Sequence, residues 1–339
     1  GNNFSYDKIS SKVSFYNLSM PRKISLVGFF STTLSLRKII KNNNYTLVNS
    51  NNRNASFIAR IAMITLFFSK TKSIYTARGM YFHDSQGFFS YYTTYWVEVF
   101  LIFFTDIVLS QSKQDVKKLS SNPLVNSAKL NIIHNGIDSD LFSIKNVKKT
   151  NLNLEGFIIC TIGRIVKAKG IIDLLNSFSL FAKDHSDASL LIIGGVLHDE
   201  HNEVLEYFWE LADQLKIKDK IVVTGMIDNV EDFLAKADVY IHPSYREGVP
   251  RAVLEAMSLE KIVIASNIRG ASEIINSKDI GILYEKGNNE QLVSAIKTVS
   301  EFSTKEKRKM GLMARNRILE LYTEESYVKR QIDAISKLF

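Results

Sequence analysis

The chain has one cysteine, Cys160, in 339 residues. A single thiol can form neither an internal disulfide nor a cysteine zinc cluster, and the apolar run around it marks a buried, inert side chain. Such cysteine usage fits a reducing compartment. Long hydrophobic runs are also missing. The two most apolar windows, residues 57–68 and 96–109, carry Arg60, Glu98 and Asp106, and both fall short of the roughly 20 apolar residues a membrane span needs. The opening Gly1-Asn2-Asn3-Phe4-Ser5 has neither a basic region nor an apolar core, so no signal peptide is expected there. No internal repeat or low-complexity tract stands out.

What is present is ordinary globular composition, 45% apolar and 23% charged, in a chain long enough for two domains with substantial cores. The charge is unevenly placed. Residues 1–150 hold 19 Lys+Arg against 7 Asp+Glu, and residues 151–339 hold 24 against 28, so nets of +12 and −4 make up the +8. A basic half suggests an anionic partner, either nucleic acid or an anionic membrane surface, or else a solvated basic face.

The first half reads as β, α, β, α, β: strands at residues 13–16, 45–48 and 73–79, with helical runs at 34–40 and 55–69. That alternation implies a parallel sheet with helices on its faces. Residues 81–104 are dense in aromatics, and two readings stand: a bilayer-interface anchor, or a core helix that uses aromatics. A strand follows at 106–110, and residues 131–138 read as a strand closed by an Asn-Gly turn. Residues 143–156, rich in Lys and Asn, read as the interdomain linker.

The second half restarts the rhythm more clearly, with strands at 157–162, 189–193, 221–224, 237–243 and 262–265. Helices are expected at 171–182, 201–215, 230–235 and near 290–300, and residues 303–339 are helical in pattern. The stretch Ser244-Tyr245-Arg246-Glu247-Gly248-Val249-Pro250-Arg251-Ala252-Val253-Leu254-Glu255 leaves a strand through a tight loop and enters a helix, with Pro250 expected at its first position. A helix N-terminus at the carboxyl end of a parallel strand is an anion site, so a phosphate-bearing ligand is expected here, with Glu247 and Glu255 on its hydroxyls. Gly163-Arg164 and Lys169-Gly170 flank another strand end. Arg164 and Lys169 read either as a diphosphate clamp or as two solvated cations.

Taken as a set, Gly163-Arg164, Lys169-Gly170, Ala237-Asp238-Val239, Pro243-Ser244, Glu247-Gly248, Leu254-Glu255-Ala256-Met257, Ala265-Ser266 and Gly281-Ile282-Leu283 resemble the retaining GT-B glycosyltransferases of the large nucleotide-sugar-dependent family. Within it, Gly248-Val249-Pro250-Arg251 resembles the bacterial branch that builds capsule, O-antigen and exopolysaccharide.

The resemblance implies an α/β chain of two Rossmann-like domains facing across a cleft. An N-terminal acceptor-side domain spans 1–147, a nucleotide-sugar-binding domain spans 148–320, and a C-terminal helix at 321–339 crosses back. It implies that Arg164 and Lys169 hold the donor diphosphate, that Glu255 binds the ribose and that Glu247 binds the transferred sugar. Gly163, Gly248, Val249 and Arg251 would line the donor, and Met226 and Ile227 would meet the base. Arg78, His83 and Asn135 are candidates for donor or acceptor contact; Arg78 stands where relatives carry histidine in Thr-x-His-Gly, and His83 reads equally as a surface residue. For the chemistry, a Glu247 nucleophile in a double displacement and same-face substitution both stand, and the resemblance favours the second.

No cofactor is implied, and Asp138-Ser139-Asp140 falls in the GT-B turn rather than at a metal site. The implied donor is a UDP-linked sugar; the implied acceptor is lipid-linked or a saccharide, and the implied place of work is the cytoplasm, at the inner face of the membrane. No nucleic acid partner is implied. Residues 1–30 lack the strand, glycine loop and helix that open such first domains, so the chain is expected to lack its opening βα unit. A non-catalytic nucleotide-sugar-binding or scaffold subunit is the alternative.

Overall fold

The computed structural model describes residues 13–18, 26–66, 69–80, 82, 86–152, 154, 156–195 and 203–339. Among them the first half builds α1 (Leu26–Asn43), β1 (Leu47–Asn51), α2 (Arg53–Ile64), β2 (Lys72–Ala77), α3 (Phe88–Phe103), β3 (Ile107–Ser110), α4 (Lys113–Ser120) and β4 (Leu130–Ile132). Its sheet is parallel, in the order β1-β2-β3-β4. The strand expected at 13–16 does not form; residues 13–18 are irregular, and Val13, Phe15 and Tyr16 lie exposed. Alternating apolar residues make a strand only when a neighbouring edge accepts its backbone and a core accepts its side chains.

The second half is a six-stranded parallel sheet in the order β10-β9-β8-β5-β6-β7. It comprises β5 (Ile158–Ile162), α5 (Ile171–Ala182), β6 (Ser189–Ile193), α6 (Glu203–Gln214), β7 (Ile221–Val223), α7 (Val230–Leu234), β8 (Val239–His242), α8 (Arg251–Ser258), β9 (Ile262–Ser266), α9 (Arg269–Ile274), β10 (Ile282–Tyr284), α10 (Asn289–Glu301), α11 (Thr304–Leu321) and α12 (Glu324–Ile335). β8 and β9 are buried along their whole length, as strands covered on both faces must be. Chain order reverses between β5 and β8, and the crevice at the carboxyl ends of those two strands is where an open parallel sheet takes its ligand.

Several joins hold the two halves together, and three of them lie outside the 246–250 loop. The chain runs out of the first sheet through residues 143–156. It returns through α12, whose Ala334, with Tyr327 and Ile335, packs on Ile74, Ile107, Leu109 and Ile133 of the first sheet. Beside that return, Ile137 donates its N–H to Tyr322 O at 2.9 Å and accepts from Glu324 N at 3.1 Å. The third join is a carboxylate at a helix N-terminus. Glu273 of α9 accepts from Ser112 Oγ at 2.5 Å and from the backbone N–H groups of Lys113 and Gln114 at 2.8 Å each, so orphan donors of α4 are satisfied from the other domain.

The aromatic segment divides by face. Tyr95, Val99 and Ile102 of α3 enter the core with Tyr75 and Val108. Phe88, Phe89, Tyr92, Trp96, Phe100 and Phe103 are exposed. Beneath α3, Glu98 meets Arg60 of α2 with Nη1–Oε1 at 2.5 Å and Nη2–Oε2 at 3.2 Å, and the guanidinium lies 4.0 Å from the Tyr75 ring centre. Both side chains are essentially sealed from water. Removing one member of such a pair strands the other charge, so Glu98→Ala is expected to cost about 3–5 kcal/mol, measured by urea unfolding of the first domain. Arg60→Met with Glu98→Leu should recover most of that loss. A loss below about 1 kcal/mol for Glu98→Ala, the value of an exposed pair, would show that water reaches the pair.

Candidate functional site

Two loops flank the β5/β8 switch point, one at residues 163–170 and one at 243–250. Gly170, at φ 65°, lies against the second loop so closely that a Cβ would sit 2.0 Å from Pro243 O; only glycine permits this approach. Tyr245 N donates to Ala168 O at 3.0 Å, and Ser266 Oγ at the end of β9 donates to Ser244 O at 2.5 Å. The loops thus hold each other, and the side chains between them meet at defined places.

The centre is Glu247. Its Oε1 contacts Lys169 Nζ, accepts from Ser244 Oγ at 3.3 Å and lies 3.9 Å from His242 Nε2. Glu255 sits in the second turn of α8, and its Oε1 accepts from Arg251 Nε at 3.0 Å; burial raises the Glu255 carboxyl above its ordinary range, and Arg251 opposes that shift. Tyr240, buried in β8, is held well above its ordinary range by burial first, and the charges of Glu255 and Glu247 both add to it.

The helix begins one residue later than the proline pattern predicts. Pro250 is the N-cap with φ −70° and ψ 112°, and Arg251 is the first helical residue. The ring fixes φ at a helical value, but ψ stays extended as the chain turns in from the loop. Pro250 O accepts from Val253 N at 3.2 Å and from Leu254 N at 3.4 Å. No side chain caps the first turn of α8, whose leading N–H groups lie beyond the reach of the helix's own carbonyls.

The remaining predicted residues divide. Gly163, at φ 150°, sits beside the Lys169 side chain, with an added Cβ 3.5 Å from Lys169 Cε. Arg164 is exposed at the end of β5. Met226 is exposed, whereas Ile227 packs partly against the core between β5 and α8. From the first domain, Arg78 and Asn135 both reach the 247–250 loop. A Cβ on Gly248 would lie 2.3 Å from Arg78 O, and Asn135 Nδ2 donates to Val249 O at 3.4 Å. His83 lies outside the described residues. Asp138 Oδ1 accepts from Asp140 N at 3.0 Å and Leu141 N at 2.8 Å, so that carboxylate is used within its own turn.

Two features escaped the sequence reading. One is His242, the last residue of β8, 2% exposed, whose Nδ1 lies 3.2 Å from Tyr240 Oη and whose Nε2 has no hydrogen-bond partner among the described residues. Its signal was a polar residue ending a buried strand just before Pro243. The other is a cleft of about 590 Å³ between the domains, lined by Asn52, Arg53, Arg78, Arg246, Glu247 and Arg269 among others. No local pattern announces it, because its residues come from distant parts of the chain.

The site thus combines two parallel sheets with a carboxylate–ammonium pair and a helix N-terminus at the switch crevice. The model for glycosyl transferases group 1 matches residues 143–317, more than half of the chain, and the model for Glycosyltransferase Family 4 matches residues 8–141. The chain belongs to the group 1 glycosyl transferases. Its fold is GT-B. It is 26% identical over 298 residues to the capsular polysaccharide biosynthesis glycosyltransferase CapM of Staphylococcus aureus, covering 85% of this chain and 76% of the relative. It is 23% identical over 335 residues to the UDP-Gal:alpha-D-GlcNAc-diphosphoundecaprenol alpha-1,3-galactosyltransferase of Escherichia coli, covering 96% and 83%. Among solved structures, a glycosyltransferase from Rickettsia africae superposes with TM-score 0.75 at 22% identity, covering 95% of this chain and 84% of the other. HepE of Anabaena, crystallised with UDP and glucose, gives TM-score 0.75 at 17% identity, covering 94% and 84%. These two likenesses bear on the fold.

Burial lowers His242 from its ordinary value to about 4, with Glu247 opposing the shift and Lys169 adding to it. His134 is likewise lowered to about 4, by burial first and then by Arg330, Arg317 and Lys113. For a depressed imidazole the unfolded chain takes the proton first, so stability is complete above about pH 6.5 and is lost as pH falls toward 4. Asp115, raised to about 6 mainly by burial, has the opposite slope, losing stability as pH rises between about 4 and 6. Comparison with His242→Asn isolates the imidazole. The drop in melting temperature from pH 7 to 5 should be smaller in the variant, and an identical drop would exclude His242 as a titrating group in the folded protein.

Proposed function

We propose that the chain transfers a sugar from a UDP-sugar, with retention at the anomeric carbon, to a lipid-linked acceptor in bacterial surface polysaccharide synthesis. The observation that carries this reading is the Glu247–Lys169 pair in the β5/β8 crevice, next to the N-terminus of α8. Support for the donor and acceptor comes from the E. coli relative, named for UDP-Gal and a diphosphoundecaprenol acceptor, and from HepE with UDP.

In this reading the donor diphosphate takes Lys169 and Arg164, with the first amides of α8 and those of Gly248 and Val249 facing its oxygens. As the anomeric bond breaks, negative charge gathers on the leaving diphosphate, and fixed cations and amides stabilise it where it develops. Glu247, released from Lys169, holds the hydroxyls of the transferred sugar, and Glu255 holds the ribose. The acceptor oxygen bonds to the anomeric carbon on the face the diphosphate leaves, and its proton passes to the departing phosphate oxygen, which gives retention. The charge of the leaving group is met by protein cations, so the reading uses no divalent metal.

The basic first domain and the exposed aromatic face of α3 suit an anionic membrane surface. Aromatic side chains favour the bilayer interface and cationic residues favour its headgroups. No helix among the described residues is long and apolar enough to cross a membrane, and the reading is peripheral attachment at the cytoplasmic face.

Turnover measured as UDP release from UDP-sugars, with a diphosphate-lipid acceptor, is expected to fall about ten- to a hundredfold in Arg164→Ala and in Glu255→Ala, as losing a hydrogen bond to a charged group implies. Unchanged turnover would sink the assignment. UDP binding without turnover by the wild type would favour the non-catalytic alternative. Trp96→Gln with Phe100→Gln should reduce cosedimentation with phosphatidylglycerol vesicles at least severalfold while leaving UDP affinity unchanged, and equal sedimentation would remove α3 from the membrane contact.

A further inference from the structure

His242 ends β8, the strand that feeds the 243–250 loop, and it is 2% exposed. Its Nε2 has no hydrogen-bond partner among the described residues. Buried polar atoms are nearly always paired, so an unpaired one calls for a reason. Glu247 Oε1 lies 3.9 Å from that nitrogen, about 1 Å beyond the ordinary N–H···O distance.

The tautomer of the ring follows from its other nitrogen. Nδ1 lies 3.2 Å from Tyr240 Oη, which belongs to the residue two back on the same face of the strand. Burial first, and then neighbouring acidic groups, hold the Tyr240 phenol well above its ordinary range, so it keeps its proton. A backbone hydrogen bond with Ile162 opposes that shift, which only a donor to the phenol oxygen can do, so it comes from the Ile162 N–H. The phenol proton is thus directed to Nδ1, and the neutral imidazole carries its own proton on Nε2. Donor and acceptor therefore face each other across the gap to Glu247. What holds Oε1 instead is Lys169 Nζ, with Ser244 Oγ donating at 3.3 Å. The Lys169 and Glu247 side chains are 30% and 22% exposed, so a ligand can reach the ammonium, while the imidazole is sealed from it.

We propose that His242 is a positioning residue for Glu247: when a donor diphosphate draws Lys169 away, the His242 Nε2–H takes over Oε1 and leaves Oε2 for the hydroxyls of the transferred sugar. The proposal rests on the transferase reading above. It gives the carboxylate two states, one on an ammonium and one on an imidazole. The cation is released for the diphosphate, and its replacement is a neutral donor that leaves Glu247 fully charged as an acceptor. Without that replacement, Lys169 could leave only by stripping Glu247 of its strongest partner, and diphosphate binding would weaken accordingly.

The test uses the full chain and UDP, which supplies the diphosphate without a sugar. In nuclear magnetic resonance of protein isotope-labelled on the histidine nitrogens, with His242→Asn assigning the resonances, Nδ1 is expected to be bare and Nε2 protonated. Saturation with UDP should move the Nε2 proton downfield as the hydrogen bond forms, and in Lys169→Met that shift should be present before UDP is added. By calorimetry, His242→Asn, whose amide reaches the place of Nδ1 but not of Nε2, should weaken UDP about tenfold, as loss of a hydrogen bond to a charged group implies. His242→Gln, whose amide reaches the place of Nε2, should recover most of that affinity. In the Lys169→Met background His242→Asn should cost nothing further, because the exchange it serves is already gone. A proton on Nδ1, an Nε2 proton that bound UDP leaves unmoved, or an equal loss of UDP affinity in both backgrounds, as a merely structural role would give, overturns the proposal. If the wild type binds no UDP, the transferase reading fails first and in a separate arm.

Discussion

Everything chemical in this molecule depends on one steric constraint, the place where the two domains touch backbone to backbone. Gly248 lies against Arg78 O, and a Cβ on Gly270 would fall 1.4 Å from Gly248 O. Two glycines therefore let the 246–250 loop lie between α9 and the end of β2. That contact puts Glu247 between the halves, in contact with Lys169 and on the wall of the arginine-lined cleft. A side chain at either glycine would push the loop outward and move the carboxylate off both groups.

Electrostatics then divides the crevice. On the second-domain side, Lys169 and the first turn of α8 face the carboxylates of Glu247 and Glu255, so cation and anion stand in near balance and Lys169 can leave Glu247 for an incoming diphosphate. On the first-domain side, arginine exceeds carboxylate. His242 lies under the boundary, neutral because it is buried and with an N–H or lone pair at Nε2 that nothing among the described residues takes up. A neutral imidazole 3.9 Å from Glu247 adds no charge to that balance while keeping the carboxylate close to a polar neighbour.

The second domain was legible in the sequence because each buried parallel strand is a continuous apolar run with punctuation at its end. Ile171–Ala182 and Ser189–Ile193 have the bounds that pattern predicts, and the Glu247 to Glu255 stretch entered the expected crevice. The first domain was less legible. Residues 13–16 have strand-like alternation but no partner edge, α1 begins eight residues before the run at 34–40, and α4 went unread even though Ser112, three residues before Asp115, caps it. Most of the cleft escaped for a different reason. Arg53, Arg246 and Arg269 are each unremarkable in their local sequence, and only the tertiary fold, across more than two hundred positions of chain, makes them neighbours.

α12 has a consequence for the order in which the protein is made. One face of the first sheet is covered by Ala334 and its neighbours from α12, so Ile74, Ile107, Leu109 and Ile133 have no complete apolar cover until α12 has left the ribosome. The second domain is contained between these segments and can close around its own sheet earlier, domains generally folding as units during synthesis. The half synthesised first is thus finished last. During that interval an apolar sheet face is open to chaperones or to self-association, and the same helix that covers it also draws the two halves into register.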